Sequence, residues 1–276
     1  MLDFTVRTER CIRCGLCVTD CPASIITLAD NEYPVIAPEK EASCYRCQHC
    51  FTICPTAAVS IFGLEPESGM QIPDAFPRPE QLEALIKGRR AVRHYLDENL
   101  PQELINHLLT VAWHAPSGMN NRQVLFTVID DREQMNQFRQ QVMQNLAKLV
   151  NSNILPEGLG FFGGFVKLWE EKGIDSIFRG APHFLVASAP RTTVSPIQDT
   201  MIALSYFDLF AQANGVGTVW DGLAKWLIDD LLPTTRLTLG IPDDHQIGYS
   251  MAFGRPAHQY ARTACHEPAR ISRYRG

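Results

Sequence analysis

The sequence predicts an α+β protein of two domains, and three observations support this. The chain has 276 residues, enough for a small domain beside one with a large core. Eight of its nine cysteines lie within the first 54 residues, whereas from residue 80 onward helical and strand periodicities alternate. A proline-rich and glycine-rich segment separates the two regions. We therefore expect domains at residues 1–62 and 80–276, joined by a linker at 63–79.

Composition places the chain among globular proteins. Apolar residues make up 45% and charged residues 20%, which argues against disorder, collagen-like repeats and coiled coils. The formal charge of -5 offers no basic surface for nucleic acid. No stretch reaches the ~18 apolar residues of a membrane helix, and the first residues lack the features of a secretory signal. We expect a cytoplasmic protein that binds neither nucleic acid nor membranes.

Two cysteine motifs with the same spacing occupy the predicted first domain. Each reads Cys-x2-Cys-x2-Cys-x3-Cys-Pro, at residues 11–22 and 44–55. In such motifs three thiolates bind three irons of one cubane cluster, and the fourth binds the other cluster. The sequence therefore predicts two [4Fe–4S] clusters. Their ligands would be Cys11, Cys14, Cys17 and Cys54 for one, and Cys44, Cys47, Cys50 and Cys21 for the other.

A zinc site is the alternative for paired Cys-x2-Cys motifs. One tetrahedral zinc ion needs only four thiolates, so zinc gives no reason for the third cysteine of each motif or for the Cys-Pro pair. Residues 1 to 62 also resemble bacterial two-cluster ferredoxins, including the short apolar segments at 23–30 and 57–63 that follow each Cys-Pro. The resemblance implies a domain that conducts single electrons and an electron acceptor in the rest of the chain.

The linker at 63–79 combines two glycines with four prolines, a composition that resists helix formation and strand pairing. These prolines are Pro66, Pro73, Pro77 and Pro79. They make the linker stiffer than a Gly/Ser tether. We therefore expect the clusters to be held against the second domain.

The second domain shows alternating helical and strand patterns. The sequence predicts helices at 80–88, 101–114, 131–150 and 199–215, and strands at 124–130, 183–189 and 246–254. Periodicity alone does not settle the aromatic, glycine-rich segment at 159–174. Neither the glycine-rich fingerprint of a Rossmann dinucleotide site nor a P-loop is present, so a nucleotide cofactor would be held in another way.

The order of several segments in this domain resembles the FMN-dependent nitroreductase family. They are "GRRAVRHY" at 88–95, a Pro-Ser loop at 116–117, "IFRGAPHFLVASA" at 177–189, "GVGTVWDG" at 215–222 and "LGIPDDHQIGYSMAFGRP" at 239–256. The resemblance covers most of residues 86–270. It implies an α/β sandwich with a mixed central sheet.

The resemblance also implies an FMN site built from four segments. The phosphate and ribityl chain would be held by Arg89, Arg90, Ala91 and Arg93, with Ala91 in place of the usual serine. A loop from the partner subunit would contribute Pro116, Ser117, Gly118 and Asn120. Backbone groups near the flavin ring would come from Gly217, Thr218, Val219, Trp220, Asp221 and Gly222. The phosphate site would be closed by His266 or by the nearby Arg262.

These features together lead us to expect an iron–sulfur flavoprotein oxidoreductase. Electrons would pass from the two clusters to FMN and on to a small electron-poor acceptor, such as a nitro compound or a quinone. No catalytic side chain is predicted, because arginines and backbone N–H groups suffice to stabilise the reduced flavin. The electron donor would be a low-potential ferredoxin or reductase, or else NAD(P)H, and the resemblance implies a homodimer.

Two other interpretations stay open at this point. The chain would be a non-catalytic electron-transfer module if the second domain only docked it in a larger redox complex. The departures at Ala91 and His266 also raise the alternative of an enzyme whose FMN site has decayed.

Overall fold

A computed structural model of the protein describes residues 2–72 and 75–276, which form two compact units. The first unit contains Met1–Pro77 with Met119–Asn121, and the second contains Arg78–Gly118 with Arg122–Gly276. Pro73 of the predicted linker lies outside the described residues. The domain limits expected at 62 and 80 stay predictions. Across 2–72 and 75–276, no helix has both the length and the apolar character needed to cross a membrane.

The first unit is built from very short elements. Two antiparallel strand pairs, β1 with β4 and β2 with β3, accompany two single-turn helices. In chain order the elements are β1 (Thr5–Val6), α1 (Leu16–Thr19), β2 (Ile26–Thr27), β3 (Val35–Ile36), a 3₁₀ helix (Pro38–Ser43), α2 (His49–Thr52), β4 (Val59–Ser60) and a second 3₁₀ helix (Pro66–Ser68). The second 3₁₀ helix belongs to the predicted linker, and ion pairs of Glu67 with Arg7 and Arg10 join it to this unit.

The two cysteine motifs fold in the same way. Each single-turn helix follows a residue with a left-handed backbone, Gly15 at φ 73° and Gln48 at φ 63°. At the end of each helix a threonine hydroxyl donates back to that residue's carbonyl, Thr19 at 3.4 Å and Thr52 at 3.2 Å. The repeat in the sequence is therefore a repeat in the structure.

The second unit contains a four-stranded sheet in the order β5-β6-β8-β7. All three strand pairings are antiparallel, and Ala91 adds a parallel bridge to Thr218 at the β7 edge. The strands are β5 (Leu125–Ile129), β6 (His183–Pro190), β7 (Gly217–Trp220) and β8 (His245–Gly254). The helices are α3 (Pro79–Gly88), α4 (Gln102–Ala112), α5 (Arg132–Asn151), α6 (Phe162–Lys172), α7 (Pro196–Ala213), α8 (Gly222–Trp226), which continues as a π helix (Leu227–Leu231), and α9 (Thr235–Thr238).

Helices cover both faces of this sheet. Along β6, Leu185 and Ala187 pack with α4 and α7, whereas Phe184 and Val186 pack with α5, α6 and α8. This alternation follows from the two-residue period of a strand, and burial of both faces explains why β6 is a continuous apolar run. The α/β sandwich expected from the resemblance is confirmed, and the expected mixed character of its sheet is limited to the parallel bridge between Ala91 and Thr218.

Each helix and strand predicted for this unit is present, with ends that differ by at most three residues. Strand β7 was expected only as a glycine-rich stretch approaching a cofactor. It is four residues long and exists through its pairing with β8, a contact between distant parts of the sequence. Helix α6 lies in the segment that periodicity did not settle.

The close packing of α7 on β8 depends on Gly248. A Cβ at this position would lie 1.8 Å from the Thr200 hydroxyl oxygen. We expect Gly248→Ala to lower the free energy of unfolding by about 1–3 kcal/mol, because the helix must move away from the strand. Urea unfolding of the full-length protein measures this change.

Gly164 of α6 provides the matched control. A Cβ there would meet no atom within 4 Å. Gly164→Ala should raise the free energy of unfolding by about 0.5–1 kcal/mol, since alanine favours a helix more than glycine does. Equal destabilisation by both substitutions would contradict the packing argument.

Candidate functional site

The cysteines of the first unit surround two cavities. One cavity is lined by Cys11, Cys14, Cys17 and Cys54. The other is lined by Cys21, Cys44, Cys47 and Cys50. Each motif therefore gives three cysteines to one cavity and its fourth to the other, which is the grouping that the sequence predicts for two clusters.

The number of cysteines at each cavity fits a cubane cluster. Among residues 2–72 and 75–276, no three Cys, His, Asp or Glu side chains converge on one point as a metal ion requires. A zinc site needs such convergence, whereas a cubane spreads its thiolates over irons at separate corners. Four cysteines at each of two cavities match the ligand number of two cubane clusters.

The surroundings of Cys50 and Cys54 shift the pKa of the two thiols in opposite directions. Burial raises the pKa of Cys50 to about 12, and the neighbouring Cys44 and Cys47 add to the increase. Burial also acts on Cys54, but hydrogen bonds, including one from the Ala58 N–H at 3.2 Å, lower the pKa of this thiol overall. Cys50 therefore stays a neutral thiol near pH 7 unless a positively charged group such as iron binds it.

The arginine stretch predicted to hold FMN runs beside β7. The Val92 N–H donates to the Thr218 carbonyl at 2.8 Å, so Arg89, Arg90, Ala91 and Arg93 are held at the edge of the sheet. The Nη1 atom of Arg89 is buried and has no hydrogen-bond partner within the described part of the chain. A buried guanidinium nitrogen without an acceptor fits an anionic ligand at this position.

A cavity of about 390 Å³ adjoins this stretch. Its described lining includes Gly88, Val92, Gly217 and Arg262. The structure thus places Arg262 at the same cavity as Val92, whereas Arg89, Arg90 and Arg93 are not among the described residues that line it. His266, which is exposed, is not among the described residues that line the cavity.

The segment Gly217–Gly222 forms β7 and the start of α8. Neighbouring side chains pack so closely on both ends of the segment that only glycine fits there. A Cβ on Gly217 would lie 2.5 Å from Val92, and a Cβ on Gly222 would lie 2.6 Å from the Tyr249 hydroxyl oxygen. Val219 is buried in the core below the sheet. The Asp221 carboxylate accepts a hydrogen bond from the Ala224 N–H at 2.9 Å and so caps α8.

The Pro-Ser loop is anchored by an aspartate that sequence reasoning missed. The Gly118 N–H and the Ser195 hydroxyl both donate to Oδ1 of Asp199, each at 2.9 Å. Ser117 accepts a hydrogen bond from the Arg122 N–H at 2.9 Å, and Pro116 is exposed. Asp199 is 3% exposed.

Asn120 has another environment. Its side-chain amide donates to the Tyr45 carbonyl at 3.0 Å, and both residues belong to the first unit. Its role in holding FMN stays a prediction.

A second aspartate on α7, Asp208, was also missed. Its carboxylate accepts hydrogen bonds from the Thr218 hydroxyl and from the Trp220 Nε1 at 3.0 Å. The Arg89 Nε lies 3.5 Å from the same carboxylate. The available signal was a charged residue among the buried apolar Leu204, Phe207 and Ala211 of one helix.

Comparison with known proteins decides the family. The nitroreductase family model matches residues 86–255, and the model of the 4Fe–4S dicluster domain matches residues 10–59. The chain belongs to the nitroreductase family. As a member with a dicluster domain, this nitroreductase-family protein is an FMN-dependent oxidoreductase whose cofactors are FMN and [4Fe–4S] clusters. The interpretation of the chain as a non-catalytic module is therefore not supported.

Individual relatives agree with this assignment. The chain is 30% identical over 190 residues to a protein of Methanothermobacter thermautotrophicus whose name assigns it as an NADH dehydrogenase/NAD(P)H nitroreductase, covering 67% of this chain and 83% of that one. It is 25% identical over 195 residues to the nitroreductase NfnB of Mycolicibacterium smegmatis, covering 62% and 81%. The fold is similar to that of a Bacteroides fragilis nitroreductase solved with FMN, at 20% identity and a TM-score of 0.55, covering 70% of this chain and 99% of that one.

Ionisation of Asp221 gives this nitroreductase-family protein a predicted pH dependence. Burial raises the pKa of Asp221 to about 7, and the nearby Asp175 adds to the increase, whereas the Ala224 N–H and Arg179 oppose it. Between about pH 4 and about pH 7 the folded chain keeps a proton that the unfolded chain releases. The contribution of Asp221 to stability is therefore complete below about pH 4 and decreases as the pH rises to about 7.

Asp221→Asn keeps an oxygen for the Ala224 N–H and removes the ionisation. We expect the free energy of unfolding of the wild type, measured relative to this variant by urea titration, to be smaller at about pH 7.5 than at about pH 5. A difference that stays constant over this range would show that Asp221 does not titrate in the folded protein.

Proposed function

We propose that this protein passes electrons from two [4Fe–4S] clusters to FMN and on to a small electron-poor acceptor, such as a nitro compound or a quinone. One observation carries the proposal: two four-cysteine cavities occur in the same chain as a nitroreductase-family domain. FMN, when bound, supplies the conversion between single electrons and electron pairs. The chain itself supplies the ligands, the binding groups and their electrostatics.

The cysteines would hold the clusters in the crossed arrangement. Cys54 would complete the cluster of the first motif, and Cys21 would complete the cluster of the second. The support is the lining of the two cavities, where each of these residues lies with three cysteines of the other motif. Crossed ligands also tie the two motifs together, so each cluster would stabilise the fold of both.

The FMN phosphate would be bound by the arginines near β7. Arg89 has a buried donor without a partner, and Arg262 lies in the adjoining cavity, so we assign the closing role to Arg262 in place of His266. Backbone groups around Gly222 would face the flavin ring, as the family resemblance implies. Arg89 and Arg262 would supply phosphate donors in place of the serine hydroxyl that Ala91 lacks, which favours an intact site over a decayed one.

The Pro-Ser loop would complete the FMN site of a partner subunit. Asp199 fixes the Gly118 backbone and leaves Pro116 and Ser117 at the end of α4. Helix α7 also exposes Ile202 and Tyr206, each more than a third accessible, which are suitable for burial between two copies of the chain. We therefore propose a homodimer with two FMN sites.

The electron donor would be a low-potential ferredoxin or a reductase. A hydride donor such as NAD(P)H would deliver an electron pair directly to FMN and leave the clusters without a role. The presence of the dicluster domain at residues 10–59 supports the single-electron donor. NAD(P)H, which appears in the name of one relative, is the alternative.

Crossed ligation predicts which cysteines affect the same cluster. Cys14→Ser and Cys54→Ser should alter one electron paramagnetic resonance signal of the reduced protein, and Cys47→Ser and Cys21→Ser should alter the other. Loss of one cluster would remove about half of the iron. Cys265→Ser is the control, because Cys265 is exposed and lies outside both motifs. If Cys54→Ser altered the same signal as Cys47→Ser, each motif would hold its own cluster.

The electron path is tested by removing both clusters. In the variant C14S/C17S/C47S/C50S, we expect reduction of bound FMN by a reduced low-potential ferredoxin to slow by at least about tenfold, or ~1.4 kcal/mol in the barrier. Stopped-flow absorbance measures this rate. The control is FMN content, released by acid precipitation, which should match the wild type. An unchanged rate would show that electrons bypass the clusters, and fast reduction by NAD(P)H would favour the alternative donor.

A further inference from the structure

We propose that Asp208 is a positioning residue, whose buried carboxylate orients the Arg89 guanidinium for the phosphate of FMN. The inference rests on the proposed function, because that proposal places Arg89 at the phosphate. It concerns a residue on α7 that lies outside all four segments assigned to the FMN site from the sequence. Asp208 would act through Arg89 and need not touch FMN.

The Asp208 carboxylate is buried but well satisfied. Asp208 is 4% exposed, and isolated ionised carboxylates are costly to bury. Three donors from two segments surround it: the Thr218 hydroxyl, the Trp220 Nε1 at 3.0 Å and the Arg89 Nε at 3.5 Å. Because Thr218 and Trp220 belong to the same strand, they fix the position of the carboxylate relative to the sheet.

This fixed carboxylate constrains the arginine. A guanidinium is planar and rigid, with five N–H donors in fixed directions. Once its Nε faces Asp208, the directions of the other donors are limited. One of them, Nη1, is buried and without a partner within residues 2–72 and 75–276. Arg89 therefore has one side held by the protein and a buried donor on another side that no acceptor in the described part of the chain satisfies.

A purely structural ion pair would not explain this arrangement. Buried ion pairs add little net stability, because desolvation offsets their attraction unless the remaining donors are also satisfied. Buried polar groups in proteins almost always have partners. The unpaired Nη1 is explained if an anionic oxygen binds there, and the phosphate of FMN is the anion that the proposed function brings to this arginine.

The test uses the full-length protein stripped of FMN. Asp208→Asn keeps the size of the side chain and removes its charge. We expect the dissociation constant of FMN, measured by quenching of flavin fluorescence, to rise by about tenfold or more. The dissociation constant of riboflavin, which lacks the phosphate, should stay within about twofold of the wild-type value. Equal weakening of both ligands, or no weakening of FMN binding, would overturn the proposal.

A double-mutant cycle shows whether Asp208 acts through Arg89. Arg89→Met removes the guanidinium, so adding Asp208→Asn to it should cause no further loss of FMN affinity. A loss of the same size in both backgrounds would overturn the proposal. A negative result from this double-mutant cycle would say nothing against the cluster ligands or the electron path, which the spectroscopic and kinetic experiments test separately. It is therefore distinguishable from failure of the proposed function.

Asp175→Asn is the matched control for loss of a buried ion pair. Asp175 lies 2.8 Å from the Arg139 Nε, and both side chains are less than a tenth exposed. This variant should lower stability without changing the ratio of the FMN and riboflavin dissociation constants. If Asp208→Asn does not fold, Asp208→Glu replaces it, because glutamate keeps the charge but moves it. An unchanged ratio in Asp208→Glu would then contradict the proposal.

Discussion

The candidate flavin site depends on two buried carboxylates of helix α7. Asp199 accepts hydrogen bonds from the Gly118 backbone, and Asp208 accepts them from Thr218 and Trp220 beside Arg89. Because a buried carboxylate must be satisfied by donors, each aspartate draws a separate segment toward the same helix. The loop at 116–118, the arginine stretch and strand β7 are distant in sequence, and α7 is the element that all three contact.

The first unit reaches its arrangement by a different physical route. Its elements are two to six residues long, too short to bury a core of ordinary size. The buried residues around Ile25 and Ile26 include two of the cysteines themselves, Cys17 and Cys50. Metal ligation would therefore contribute to folding as well as to function, since the thiols occupy positions that apolar side chains would fill elsewhere.

This difference explains what the sequence could predict. The sequence predicted which cysteines line the two cavities because the spacing within each motif is a local property, fixed within eleven residues of chain. Helices such as α4 and α5 were predicted to within two residues from their periodicity. Strand β7 was not, because four residues are too few to show a strand period, and the strand forms through pairing with β8.

The aspartates were missed for a related reason. The role of a charged residue in an apolar helix cannot be inferred until its partners are known. The partners of Asp208 are Thr218 and Trp220, ten and twelve residues later in the sequence, and Arg89 far upstream. The family resemblance assigned a role to the arginines, but only the folded chain shows that Arg89 has a buried donor without a hydrogen-bond partner within the described residues. Resemblance therefore nominates the segments of the candidate site, and the hydrogen bonds of α7 show how those segments are oriented. The proposed function then rests on two kinds of constraint, local spacing in the first unit and satisfaction of buried charge in the second.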